Sequence, residues 1–292
     1  MIKLNFILCA VVLAICASGS AYAFPLVPES LSSAQLEMLR LASPAVNYQG
    51  IVKLNNCSGA LVRFANSVDT DPAMVLTNGH CLGGFLKLGF LKPGEVRVNV
   101  PVTRSFKLLS DDGQSSKGYV KANRVIVATM TKTDITLYGL TQTFAQIAKN
   151  YSVKALTISP NHPLVKTPIT VISGYFSTAY SCQIDAFIYD LHEADWDMRD
   201  SMRYSTPGCE TIHGTSGSPV INQATNEIIG INNTGNDNGE RCTMDNPCEI
   251  DEHGNVTVIL HASYAQQTYV LYSCLNQQRQ FDLTLPSCVL RP

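Results

Sequence analysis

The sequence predicts an all-β protein in two halves, and three observations carry that reading. Short runs rich in β-branched and aromatic residues recur along most of its 292 residues. Gly, Pro, Asn and Asp clusters separate these runs at regular intervals, which is the pattern of barrels and sandwiches. The stretch Ser159-Pro160-Asn161-His162-Pro163, near the middle, reads as a linker between two such sets.

Taken in order, the N-terminus reads as a secretory signal. Lys3 precedes an apolar segment from Phe6 to Ile15, and Ala21-Tyr22-Ala23 is a small-residue cleavage site. The apolar segment is short for a membrane span. A lipoprotein reading at Cys16 is weaker, because bulky Ile15 precedes the cysteine. Residues 24–46 are expected to be a propeptide or an N-terminal helix, capped by Ser32 or Ser33 with Leu36 and Leu39 on one face.

Residues 47–158 form the first β-rich set. Strands are expected at 50–54, 58–64, 73–77, 96–100, 124–128 and 135–140, with one or two helical turns in 141–150. Residues 159–275 form the second set, with strands at 170–173, 183–189, 219–222, 227–232 and 256–261. A helix over 263–275 is expected to close the chain, and 276–292 is a C-terminal tail.

The formal charge of −2 and the absence of a long basic run give nucleic acid no electrostatic footprint. No later segment reads as a membrane span. Eight cysteines follow the signal, an even number that points to disulfides in an oxidising compartment, hence a secreted or periplasmic protein. Their spacings lack paired C-x-x-C knuckles, so zinc is not expected. No cofactor and no metal site is expected from the other motifs.

The most informative stretch is Gly214-Thr215-Ser216-Gly217-Ser218-Pro219-Val220. Two glycines around a serine allow a tight turn that exposes the hydroxyl and aims backbone N–H groups at a developing oxyanion. Upstream, His80 ends the apolar run Val75-Leu76-Thr77 in the small-residue turn Asn78-Gly79. A disulfide between Cys57 and Cys81 would staple that turn. Asp134 opens the apolar run Ile135-Thr136-Leu137.

These contexts, in the order His, Asp, Ser, resemble the trypsin/chymotrypsin-like serine peptidases, whose motifs are T-A-A-H-C, D-I-A-L-L and G-D-S-G-G-P. The resemblance spans roughly residues 48–275. It implies two antiparallel β-barrels with the site between them, the C-terminal helix following. It also implies His80 as general base, Asp134 as its orienting acid, Ser216 as nucleophile, and the N–H groups of Gly214 and Ser216 as the oxyanion hole. Protein or peptide substrates follow from the same family reading; a monomer with no stable membrane insertion is also expected. A catalytically silent or latent binding protein on this fold is the alternative.

The sequence also departs from the family. Thr215 stands where trypsin-like enzymes carry the aspartate that pairs with a newly cut N-terminus. Ser218 resembles the bacterial branch that includes glutamyl endopeptidases, and Thr211 matches a threonine of that branch's pocket. Asn232 replaces its pocket histidine, which leaves a glutamate preference unsupported. Glu210 lies near trypsin's pocket-floor acid, where a carboxylate implies cleavage after Lys or Arg. Thr211, Asn233 and Gly235 are expected to line a polar substrate pocket. The remaining cysteines are expected to pair as Cys182–Cys209, Cys242–Cys248 and Cys274–Cys288, with Cys209–Cys242 as a rival.

Other candidates carry less. His192-Glu193 lacks the second histidine of H-E-x-x-H and reads as a solvated loop. His213 and His261 read as surface and structural histidines. Asp245, Glu249, Asp251 and Glu252 surround Cys242 and Cys248, where a charged, disulfide-stapled hairpin is favoured over calcium.

Overall fold

The computed structural model describes residues 46–82 and 89–291, which belong to one compact unit. The signal segment and all of 24–46 except Val46 lie outside the described residues. Among the described residues no helix is long and apolar enough to cross a membrane.

The first barrel has six strands: β1 (Ile51–Lys53), β2 (Ser58–Phe64), β3 (Pro72–Thr77), β4 (Val96–Leu109), β5 (Ser116–Thr129) and β6 (Ile135–Thr143). They pair in the order β1-β4-β5-β6-β3-β2, and β2 closes back onto β1 with Val52 opposite Gly59. All of these pairings are antiparallel. Closure removes free sheet edges and encloses a core in which Leu61, Leu76, Phe106, Leu137 and Tyr138 are fully buried.

The second barrel comprises β8 (Pro168–Ser173), β9 (Thr178–Glu193), β10 (Trp196–Tyr204), β11 (Pro219–Asn222), β12 (Ile228–Gly235) and β15 (Ser263–Gln267). Its order is β12-β11-β8-β9-β10-β15, closed by β15 on β12. Ile169, Val171, Ile184, Met202, Val220 and Ala265 fill it. β13 (Cys248–Ile250) and β14 (Val256–Thr257) form a hairpin laid along β9.

β7 (Leu156–Ile158) joins the barrels. It runs parallel to β2, and Ile158 pairs with both Phe64 and Ile228. Just before it, α1 (Phe144–Tyr151) starts from a reciprocal capping box between Thr143 and Gln146 and ends at Ser152 in the left-handed conformation.

The expected C-terminal helix is much reduced. Its first part is β15, buried at every position between β10 and β12, and only Tyr269–Cys274 is helical, as a 3-10 turn. Two-sided strand pairing overrides a pattern that reads as helical in isolation. That short helix is pinned by the Tyr272 hydroxyl, which donates to Ile158 O at 2.7 Å and accepts from Ala65 N–H at 2.8 Å.

Four disulfides close: Cys57–Cys81, Cys182–Cys209, Cys242–Cys248 and Cys274–Cys288. Cys209 therefore braces the base of β9 rather than reaching Cys242. Such bridges persist in oxidising compartments.

Candidate active site

The histidine is positioned by packing. β3 ends at Thr77, and the chain must then pass close behind Asp134. A Cβ on Gly79 would sit 2.1 Å from Thr129 O and 2.7 Å from Asp134 Oδ1, so only glycine admits that approach. Asn78 Nδ2 donates to Asp134 O at 2.9 Å and fixes the facing turn. Beneath the histidine turn, the buried Arg104 guanidinium donates to Cys81 O, the Tyr138 hydroxyl and Asn56 Oδ1.

His80 and Asp134 make a two-point contact. The carboxylate accepts the His80 backbone N–H at 3.0 Å through Oδ1 and meets Nδ1 at 2.6 Å through Oδ2. Asp134 is only 2 % exposed. Burial pulls the imidazole pKa down, but the field and hydrogen bond of Asp134, with smaller help from Glu193 and Asp245, outweigh it and hold His80 above its usual 6.5. With Nδ1 engaged by a carboxylate, Nε2 is left as the proton acceptor.

Ser216 sits in the turn before β11. Gly214 and Gly217 have φ of +90° and +81°. A Cβ on Gly217 would meet Ser58 O at 2.2 Å and the Thr77 hydroxyl at 2.4 Å, so this turn presses directly on the first barrel. Ser58 N–H donates to Ser216 O across the barrels at 2.8 Å. Among the described residues the Gly214 and Ser216 N–H groups donate to no acceptor, the condition an oxyanion hole requires. The Ser216 hydroxyl donates to Asn233 O at 3.3 Å and is not hydrogen-bonded to His80. Such contacts commonly tighten only when substrate binds.

His80, Asp134 and Ser216 line one cavity of about 240 Å³ between the barrels. Thr211, Asn233 and Gly235 line it too; Glu210 does not. The Glu210 carboxylate is exposed and accepts the Gly208 N–H at 3.0 Å. His213 lines the cavity and pairs with Asp237. The Asp237 hydrogen bond raises its pKa. His192 faces Asp197, away from the cavity, and His261 is backbone-bonded to Asn236. Asp251 is spent on the turn around Asn255, Glu249 binds Arg203, and Asp245 reaches the cavity. Among the described residues, the only compact group of potential metal ligands is Cys57, His80 and Cys81, and its sulfurs are bound to each other.

Sequence reasoning missed Phe90, Trp196 and Met198, which also line the cavity, and read Glu193 as part of a solvated loop, whereas it ends β9 and is buried against the cavity. Trp196 is the single tryptophan; it stands edge-on to Phe90, which stands edge-on to His80. A lone tryptophan was a signal, but its strand was not recognised.

A family model described as trypsin-like peptidase domain matches residues 57–231, more than half of the chain. No curated protein matches. Solved structures similar to this chain include a Glu endopeptidase in complex with MPD, at 14 % identity, covering 75 % of this chain and 85 % of that one, with a TM-score of 0.43. The MamO protease domain from Magnetospirillum magneticum is 14 % identical, with 80 % and 98 % covered and a TM-score of 0.44. The Cellulomonas bogoriensis chymotrypsin is 13 % identical, with 76 % and 91 % covered and a TM-score of 0.39. From the match over residues 57–231, which takes in the His80, Asp134 and Ser216 segments, the chain belongs to the trypsin-like peptidase family.

Proposed function

We propose that this protein is a serine endopeptidase of an oxidising, extracytoplasmic compartment, hydrolysing peptide bonds through an acyl-enzyme. The observation that carries the reading is the two-point grip of Asp134 on His80 in the same cavity as Ser216. His80 Nε2 takes the Ser216 proton as Oγ attacks the scissile carbonyl, and returns it to the leaving amine. Asp134 holds the tautomer and stabilises the imidazolium. The Gly214 and Ser216 N–H groups receive the oxyanion. Water, deprotonated by His80, then releases the acyl group and restores Ser216. The four disulfides support the compartment.

The test is labelling by a fluorophosphonate, with Ser216→Ala as control, on protein beginning near Phe24 and near Ala45, followed by a mixed peptide library. Labelling lost in Ser216→Ala, together with peptide cleavage, is the expected result. A folded protein that neither labels nor cleaves in either form would instead be a silent binding protein on this fold.

A further inference from the structure

His192 and Glu193 are neighbours on β9, so the strand's alternation sends them to opposite faces. His192 pairs with Asp197 on the outside. Glu193 turns inward, is 8 % exposed, and lines the cavity that holds His80 and Ser216. One carboxylate oxygen accepts the Asp245 N–H at 2.8 Å, and this donor carries no charge.

The charge balance of the cavity is one-sided. Among its described lining residues are four carboxylates, of Asp134, Glu193, Asp237 and Asp245, and no lysine or arginine. Asp134 is matched by His80 and Asp237 by His213, while Asp245 approaches His213 only to 3.9 Å. A nine-tenths-buried carboxylate without a counter-ion is costly, and a cation brought to it is held more strongly than the same pair in water. The remaining walls, Phe90, Met130, Trp196 and Met198, are apolar and suit the methylene stem of a long cationic side chain.

Resting on the serine-peptidase reading, we propose that Glu193 is a specificity-determining residue, which receives a lysine or arginine side chain of the peptide substrate. This places the basic preference on the β9–β10 wall and not on Glu210, which points elsewhere.

The experiment compares matched substrates at each position flanking the scissile bond, with Lys against norleucine and Arg against citrulline, on wild type and Glu193→Gln. Fluorophosphonate labelling of Ser216 is run in parallel. At one position the wild-type kcat/KM ratio should favour the cation by at least about tenfold, and Glu193→Gln should bring it within about twofold of unity. Labelled wild-type enzyme with a ratio near one at every position overturns this proposal and leaves the peptidase reading standing. That comparison needs no variant, so it decides the matter even where Glu193→Gln does not fold. A cationic preference unchanged in folded Glu193→Gln also overturns it. Absence of labelling in folded wild type removes the peptidase reading and this inference with it.

Discussion

Asp134 spends both carboxylate oxygens on one residue, and that fixes the sign of the pH response. His80 must be neutral to accept a proton, and its pKa lies above 6.5 because Asp134 outweighs desolvation. The acid limb of kcat/KM should therefore sit above the ordinary imidazole value. Asp134→Asn removes the raising charge, so the limb should move to lower pH while kcat falls about 10⁴-fold. A limb that stays in place would separate Asp134 from the titrating group. Glu193 gives a second, thermodynamic sign. Burial raises its pKa from 4.5 to about 7, with Asp245 N–H and Thr234 only partly offsetting it. A carboxyl whose folded pKa is raised binds its proton more tightly in the native state, so stability is lost as pH climbs from about 4.5 through 7. In a Ser216→Ala background, which prevents self-digestion, Glu193→Gln should gain stability relative to Glu193 by roughly 2 to 3 kcal/mol between pH 5 and pH 8. Urea unfolding at the two pH values measures it, and equal differences would show Glu193 already protonated or already matched by a cation.

Among the elements, the turn into β11 carries the tightest constraint. Gly217 combines a positive φ with the approach of Ser58 O and the Thr77 hydroxyl, so Gly217→Ala must push Ser216 off the first barrel. Loss of fluorophosphonate labelling and a destabilisation of roughly 1 to 3 kcal/mol are expected. A fully labelled, equally stable variant would mean the turn relaxes freely. This turn was legible in the sequence only jointly: a G-x-S-G-S-P run alone reads equally well as a Gly/Ser/Pro turn between strands, and the His80 and Asp134 contexts upstream tip the balance. β2, β3 and the first six residues of β6 were legible too, since they are mostly apolar and buried almost throughout. What stayed hidden has physical causes. β4 reads as ending near Val100 because Pro101 follows, yet Pro101 falls at a register shift in the pairing with β5, where a missing N–H is tolerated. β10, Trp196–Tyr204, hides behind exposed Asp197 and Arg199, which alternate with buried Met198, Ser201 and Met202. Missing β10 meant missing the β9–β10 wall, and with it Glu193. Cavity-lining residues that sit in local motifs, His80, Asp134 and Ser216, could be picked out; those brought in by a distant hairpin could not.

At the scale of the whole molecule, the question is what sets the serine turn in its working shape. In trypsin-like relatives the residue before the serine is an acid answered by a new N-terminus. Here Thr215 occupies that position, is buried, and belongs to a neutral chain of hydrogen bonds. The Tyr204 hydroxyl donates to Asn232 Oδ1 at 3.1 Å, Asn232 Nδ2 donates to the Thr215 hydroxyl at 3.1 Å, and that hydroxyl donates to Ile212 O. The chain runs from β10 through β12 into the turn, entirely within the second barrel. Among the described residues every member of this chain is neutral, so it offers no carboxylate to a terminal ammonium, and the state of the N-terminus should not affect the oxyanion site. Protein beginning at Ala45 with a free amine and the same protein acetylated should show kcat values within about twofold of each other. Thr215→Val keeps the shape but strands Asn232 Nδ2 in a buried site, which costs about 1 to 3 kcal/mol. Its kcat should fall with little change in KM if the strain is felt at the Gly214 and Ser216 amides. A large drop on acetylation, with Thr215→Val unaffected, would return the molecule to activation by a new N-terminus and make the Tyr204–Asn232–Thr215 chain a packing feature only.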